Sequence, residues 1–216
     1  MHCLSKIQFG SFLTYSPRGQ SSLSKQSRQI ISPIKNANAG YIPSIVKRLS
    51  LEMSAGKSSS ALRKVLGSDV LVVPCPRSAP LLPGALWPAK EICAALVSHN
   101  LAAGVAEILE RIKPVQKSST ALSKDRPKPE EHFLTMKISN QGNIFTDVSR
   151  ITVVDDVITR GATLLAAASH LKSRFPNACV QAFALVRTMS YGEIKSIIDP
   201  TLGEILLDKN DALRQP

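Results

Sequence analysis

The chain has 216 residues, a formal net charge of +11 at pH 7 and a hydrophobic content of 44%. This length suits one α/β domain with a small appendage, and this hydrophobic content excludes a wholly disordered chain. No uninterrupted apolar run approaches the roughly 20 residues that a membrane-spanning helix needs, so a spanning protein is excluded. The chain has no CxxC pair, which argues against a zinc ribbon or a disulfide framework and favours a reducing, cytoplasmic compartment.

The positive charge is concentrated at the amino terminus. Residues 1–51 carry seven Lys or Arg and no acidic residue, because Glu52 is the first acid in the chain. This composition predicts a solvated, basic, Ser-rich extension over residues 1–55, with one ordered helix at Tyr41–Leu51. An organellar transit peptide and a role in a ligand-covering hood are alternatives, and nucleic-acid binding is a weaker one because few aromatic side chains accompany the charge. Deleting residues 1–40 should then leave a folded core.

Strands and helices alternate along the rest of the chain. Apolar runs between turn residues predict buried strands, and runs with helical spacing predict helices. In chain order these are a strand at Leu66–Val73, a Pro-rich loop at 74–88, a helix at Ala89–Val97, a short strand at Val105–Ile112, a basic loop at 113–132, a strand at Ile151–Val154, a helix at Ala162–Leu171 and a strand at Cys179–Val186. The order predicts an α/β fold with a parallel sheet, a core at 56–190 and a closing segment at 191–216.

The most informative segment runs from Ile151 to Leu164. Its strand delivers Asp155 and Asp156 to the carboxyl end, where ligands of open α/β sheets bind. The turn that follows offers an anion free N–H groups, hydroxyl donors, one positive charge and the helix dipole. Its residues are Thr159, Arg160, Gly161, Ala162 and Thr163. A phosphorylated ribose, which carries a phosphate beside a diol, fits both the acidic pair and the turn. A side chain at position 161 in place of glycine would point into the space of the phosphate. An ordinary strand–turn–helix is the alternative.

This segment resembles the signature with which type I phosphoribosyltransferases bind 5-phosphoribosyl 1-diphosphate (PRPP). The wider arrangement looks like that of the subgroup of competence protein ComF and the amidophosphoribosyltransferase-like proteins. This likeness rests on Val73-Pro74-Cys75-Pro76 and on a basic stretch that begins at Arg111. The likeness covers roughly Val70–Arg187. It implies a Rossmann-like, parallel-sheet core with a small variable hood. The zinc-binding amino terminus of the competence proteins and the subgroup's Arg-Gly-Phe-Asn-Gln stretch are both missing.

The resemblance also implies a role for each matching residue. Asp155 and Asp156 would be the catalytic pair that holds the ribose hydroxyls, and the turn at 159–163 would hold the 5′-phosphate. Pyrophosphate would be bound by Arg77, Ser78, Arg111, Lys117 and Arg126, with the segment 111–128 as a loop that closes over it; a solvated basic loop is the alternative. Mg²⁺ would accompany PRPP, held mostly by ligand and water oxygens.

The activity that the resemblance implies is transfer of a 5-phosphoribosyl group from PRPP to a nitrogen acceptor, with release of pyrophosphate. The sequence does not identify the acceptor. The alternative is a non-catalytic protein that senses PRPP or a nucleotide, with its basic amino terminus on nucleic acid. No membrane partner is expected, and a homodimer is left open.

Overall fold

The computed structural model describes residues 3–116, 126–139, 148–189 and 192–216. Within these ranges the chain forms strands, α-helices and one 3₁₀ helix (Ser58–Lys64). The strands are β1 (Lys6–Tyr15), β2 (Leu71–Pro74), β3 (Gly104–Val105), β4 (Leu109–Arg111), β5 (Met136–Ile138), β6 (Arg150–Ile158), β7 (Cys179–Thr188), β8 (Ile198–Asp208) and β9 (Asp211–Gln215). The helices are α1 (Ser22–Lys35), α2 (Tyr41–Ser54), α3 (Pro88–Ser98), α4 (Pro129–Leu134) and α5 (Ala162–Arg174).

Seven of these strands form one sheet, in the order β3-β2-β6-β7-β1-β8-β9. The strands from β3 to β1 are parallel to their neighbours, whereas β8 is antiparallel to β1 and β9 is antiparallel to β8. Strands β4 and β5 form a separate antiparallel pair. The predicted α/β class with a mostly parallel sheet is therefore confirmed.

Helices cover both faces of this sheet. Apolar residues of α5 pack on one face with β4 and β5, in a cluster that includes Leu164 and Leu165. Apolar residues of α1, α2, α3 and the 3₁₀ helix pack on the other face, in a cluster that includes Ile34 and Val46. Burial on both faces accounts for the nearly continuous apolar runs in β2, β6 and β7. No helix among the described residues is long and apolar enough to cross a bilayer.

The amino-terminal segment differs most from the prediction. Strand β1 lies between β7 and β8, with Phe9 opposite Ala182 on one side and Gly203 on the other. Phe9 and Phe12 are fully buried, and they belong to the clusters on opposite faces. The prediction of a solvated extension is therefore wrong for this part of the chain, because its apolar side chains complete both halves of the core. The predicted helix at residue 41 is present as α2.

The other predicted elements are present with shifted ends. Strand β6 continues to Ile158, so that Asp155 and Asp156 lie within the strand rather than after it. The apolar stretch at 105–112 is divided between β3 and β4, and the predicted basic loop contains the start of α4. The closing segment is the β8–β9 hairpin, which extends the sheet beyond β1.

Candidate active site

Two cavities meet at the carboxyl end of β6. The larger has a volume of about 370 Å³ and the smaller about 60 Å³. Both are lined by Asp155, Val157, Thr159 and Thr163, so they share the wall that β6 and the turn after it provide. The predicted acidic pair and the predicted anion turn are therefore neighbours in one concave site.

The acidic pair faces the larger cavity. The Asp155 Oδ1 atom accepts a hydrogen bond from the backbone N–H of Asp156 at 2.9 Å, and Asp156 Oδ1 accepts one from Val157 N–H at 2.9 Å. These bonds fix the two carboxylates against their own strand. Burial raises the pKa of the Asp155 carboxyl well above its ordinary value, and the neighbouring Asp156 raises it further. Two partly buried carboxylates that line a cavity can accept hydrogen bonds from a diol.

The turn before α5 has the geometry of an anion cradle. Gly161 adopts the left-handed backbone conformation, with φ +93°, at the N-cap of α5, and its carbonyl accepts the first helical hydrogen bond from Leu165 N–H at 2.9 Å. The N–H groups of Ala162, Thr163 and Leu164 precede that bond and so lack a partner within the helix. All three residues line the smaller cavity. Free N–H groups and the helix dipole favour an anion at this position.

The reason for glycine at position 161 differs from the predicted one. A Cβ atom added there would lie 2.7 Å from Ile205 Cδ1, in the neighbouring β8 strand. Ile205 is fully buried in the core. The space beside Gly161 therefore belongs to a core side chain rather than to a bound phosphate, and the prediction that a side chain would displace the phosphate is wrong.

Two arginines near the turn have positions that the sequence did not predict. Arg160 forms an ion pair with Asp211 at the start of β9, although it also lines the smaller cavity. Arg126, predicted as a pyrophosphate ligand, lines the smaller cavity rather than the larger one, and its buried Nε atom has no hydrogen-bond partner. The structure therefore places a second cation, Arg126, beside the turn.

The residues predicted to bind pyrophosphate do not all lie in the same part of the site. Arg77 and Ser78, which follow β2, line the larger cavity. The Ser78 carbonyl accepts a hydrogen bond from Val115 N–H at 2.7 Å, which holds this loop beside Gln116, another lining residue. Lys117 lies outside the described residues, as does half of the predicted closing loop, residues 117–125.

Arg111 lines the larger cavity, but its guanidinium is largely engaged with the protein. It is only 5% exposed. Its Nε–H donates to the Arg77 carbonyl at 2.9 Å, and Nη1 donates to Thr135 Oγ1 at 2.6 Å and to the His132 carbonyl at 3.2 Å. Burial lowers the pKa of Arg111. The side chain predicted as a free pyrophosphate ligand therefore chiefly holds three segments together.

Several lining residues had no role in the sequence-based prediction. Lys35, the last residue of α1, reaches the larger cavity from the segment expected to be an extension. Trp87 lines the same cavity, and its indole Nε1–H donates to the Cys75 carbonyl at 2.8 Å. His132 is buried in the wall, within 3.3 Å of Thr163 Oγ1. No local pattern in the sequence marks Lys35 as a residue of the site.

Comparison with known proteins gives little beyond this geometry. No protein-family model and no curated protein sequence matches the chain. Among solved structures, the chain is similar to an adenine phosphoribosyltransferase from Leishmania donovani, with 12% sequence identity over 87% of this chain and 85% of that chain and a TM-score of 0.35. At this TM-score and identity the likeness decides neither substrate nor reaction.

Proposed function

We propose that this protein binds PRPP as type I phosphoribosyltransferases do and transfers its 5-phosphoribosyl group to a nitrogen acceptor, releasing pyrophosphate. The observation that carries the proposal is the shared wall of the two cavities. Asp155, Thr159 and Thr163 line both, so a ligand can place an anion in the smaller cavity and a diol in the larger one at the same time. A ribose with a phosphate on its 5′ carbon has this arrangement of groups.

The 5′-phosphate is assigned to the smaller cavity. The N–H groups at the start of α5 and the hydroxyls of Thr159 and Thr163 line it and can donate to phosphate oxygens. Arg126 adds positive charge from a separate segment. Arg160 contributes less in this arrangement, because Asp211 already neutralises its charge.

The ribose and the pyrophosphate are assigned to the larger cavity. Asp155 and Asp156 would accept hydrogen bonds from the two ribose hydroxyls, and Arg77 and Ser78 would contact the pyrophosphate. In the reaction the nitrogen lone pair forms a bond to the anomeric carbon while the bond from that carbon to pyrophosphate breaks, and pyrophosphate leaves with the bonding electrons. The carboxylates then lie close to the positive charge that develops on the sugar, which they stabilise.

Mg²⁺ is expected to accompany PRPP. The donor set fits this ion when it is held largely by ligand and water, because Asp155 and Asp156 supply carboxylate oxygens beside the place assigned to the ribose. Within the described ranges, no group of three or more His, Cys, Asp or Glu side chains could hold a metal ion by itself. When bound, Mg²⁺ would supply positive charge to the leaving pyrophosphate.

The test is isothermal titration with PRPP in the presence of Mg²⁺, followed by a pyrophosphate-release assay with a panel of bases and amines. The variant with both Asp155→Asn and Asp156→Asn should lose PRPP binding while it keeps a cooperative unfolding transition. Asp69→Asn is the matched control, because Asp69 is an exposed aspartate that pairs with Arg150 and lines neither cavity. Its affinity should equal that of the wild type.

Two outcomes contradict parts of this proposal. If the wild type does not bind PRPP, or if the double variant binds it equally well, the site assignment is wrong. If PRPP binds but no acceptor in the panel releases pyrophosphate, the transferase activity is contradicted and a PRPP-sensing role is favoured.

A further inference from the structure

A buried histidine joins the two sides of the site. His132 lies on α4 and is 3% exposed. Its Nδ1 atom is 3.3 Å from Arg111 Nη2, and its Nε2 atom is 3.3 Å from Thr163 Oγ1. The imidazole therefore connects a buried guanidinium to the hydroxyl that both cavities share.

The chemistry of these groups determines which atom carries each hydrogen. A guanidinium carries only N–H donors, so His132 Nδ1 must accept and must be unprotonated. A neutral imidazole then has its hydrogen on Nε2, where it can donate to Thr163 Oγ1. Burial, and then the charge of Arg111, lower the pKa of His132 to about 3, so the ring is neutral at physiological pH.

Thr163 is left with a hydrogen to donate. Its oxygen accepts from His132, and no described residue is an acceptor for its own O–H. Because Thr163 lines both cavities at the start of α5, that O–H is free to point at an anion bound there.

We propose that His132 is a positioning residue that fixes the Thr163 hydroxyl as a hydrogen-bond donor to the 5′-phosphate of the bound ligand. Arg111 acts one step further away, by holding the imidazole in the tautomer with hydrogen on Nε2. This inference rests on the proposed function for the identity of the ligand. It also gives Arg111 a role other than the predicted contact with pyrophosphate.

The first measurement needs no ligand. Long-range ¹H–¹⁵N correlation spectra of the wild type distinguish the two neutral tautomers of a histidine, and His132 should show hydrogen on Nε2 at neutral pH. The opposite tautomer, or a protonated ring, would overturn the inference without touching the proposed function.

The second measurement is a double-mutant cycle on PRPP affinity. His132→Leu removes both ring nitrogens, and Thr163→Val removes the hydroxyl at nearly constant shape. Each single variant should weaken PRPP binding about tenfold, the smaller end of what a hydrogen bond to a charged group contributes. The double variant should be no weaker than Thr163→Val alone, because His132 acts only through the hydroxyl.

Two further variants separate positioning from packing. His132→Gln keeps one acceptor and one donor at the end of the side chain, so it should recover part of the lost affinity and guards against a failure of His132→Leu to fold. His170→Gln is the matched control, because His170 packs on α4 with its Nε2 2.9 Å from the Phe133 carbonyl and lines neither cavity. Its PRPP affinity should not change.

The outcomes distinguish the two proposals. Failure of the wild type to bind PRPP overturns both. If the wild type binds PRPP and the losses of the two single variants add in the double variant, only the role of His132 is overturned. Additive losses would mean that His132 affects binding independently of the Thr163 hydroxyl, as a purely structural residue would.

Discussion

Strand β1 provides the sharpest test of the fold, because the sequence and the structure make opposite predictions for it. A basic extension could be removed without loss, whereas a strand between β7 and β8 could not. Two variants test this placement: a chain that lacks residues 1–40, and the full chain with Phe12→Ala.

The structure gives the size of the expected effect. Deletion removes four buried apolar side chains of β1, and each contributes about 1.5–3 kcal/mol when it is fully buried. These residues are Ile7, Phe9, Phe12 and Leu13. Their total is comparable with the whole stability of a domain, about 5–15 kcal/mol, so the truncated chain should not fold. Phe12→Ala alone should lower the free energy of unfolding by about 3–5 kcal/mol.

Urea unfolding followed by circular dichroism measures both effects. Lys6→Ala is the control within the same strand, because Lys6 pairs with Glu204 through side chains that are 63% and 45% exposed. Such an exposed pair contributes at most about 1 kcal/mol. A cooperative transition in the truncated chain, or equal urea midpoints for Phe12→Ala and Lys6→Ala, would refute the placement of β1.

Two further predictions follow from the site. Because burial raises the pKa of Asp155, the folded state binds its proton more tightly than the unfolded chain does, and stability falls as the pH rises above the usual aspartate value, about 3.9. Asp155→Asn should therefore be more stable than the wild type at pH 7, as measured by thermal unfolding, and the difference should vanish below pH 4. A variant that is less stable than the wild type at pH 7 would contradict this prediction. Gly161→Ala should lower the free energy of unfolding by about 1–3 kcal/mol, measured in urea, because it strains a left-handed residue and meets Ile205; unchanged stability would contradict the contact.

The sequence predicted the central strands well because their signal is local. Strands β2, β6 and β7 are apolar runs between turn residues, and each is buried on both faces of the sheet. Helix α5 likewise begins where Gly161 ends the turn. In each case the residues that determine the element are adjacent in the chain.

Strand β1 could not be predicted in the same way. Phe9 pairs with Ala182, and that distant partner decides that the segment is a strand. Its apolar residues were visible, but the charge of the surrounding segment suggested a solvated extension. The basic stretch raised a similar difficulty, since sequence alone does not reveal that Arg111 is buried against His132 and Thr135.

In the proposed site, segments distant in the chain are brought together around one anion position. The turn itself supplies N–H groups and hydroxyls, while its own arginine, Arg160, is neutralised by Asp211. Arg126 also lines the smaller cavity, and in our proposal His132 orients the Thr163 hydroxyl. Both of these residues lie within 126–139, and Arg111 links His132 to the carbonyl of Arg77, another lining residue of the larger cavity. Residues 126–139 thus supply Arg126 to the smaller cavity and His132 to the wall of the larger cavity. We therefore expect a phosphate bound in the smaller cavity to stabilise the arrangement of the larger cavity as well.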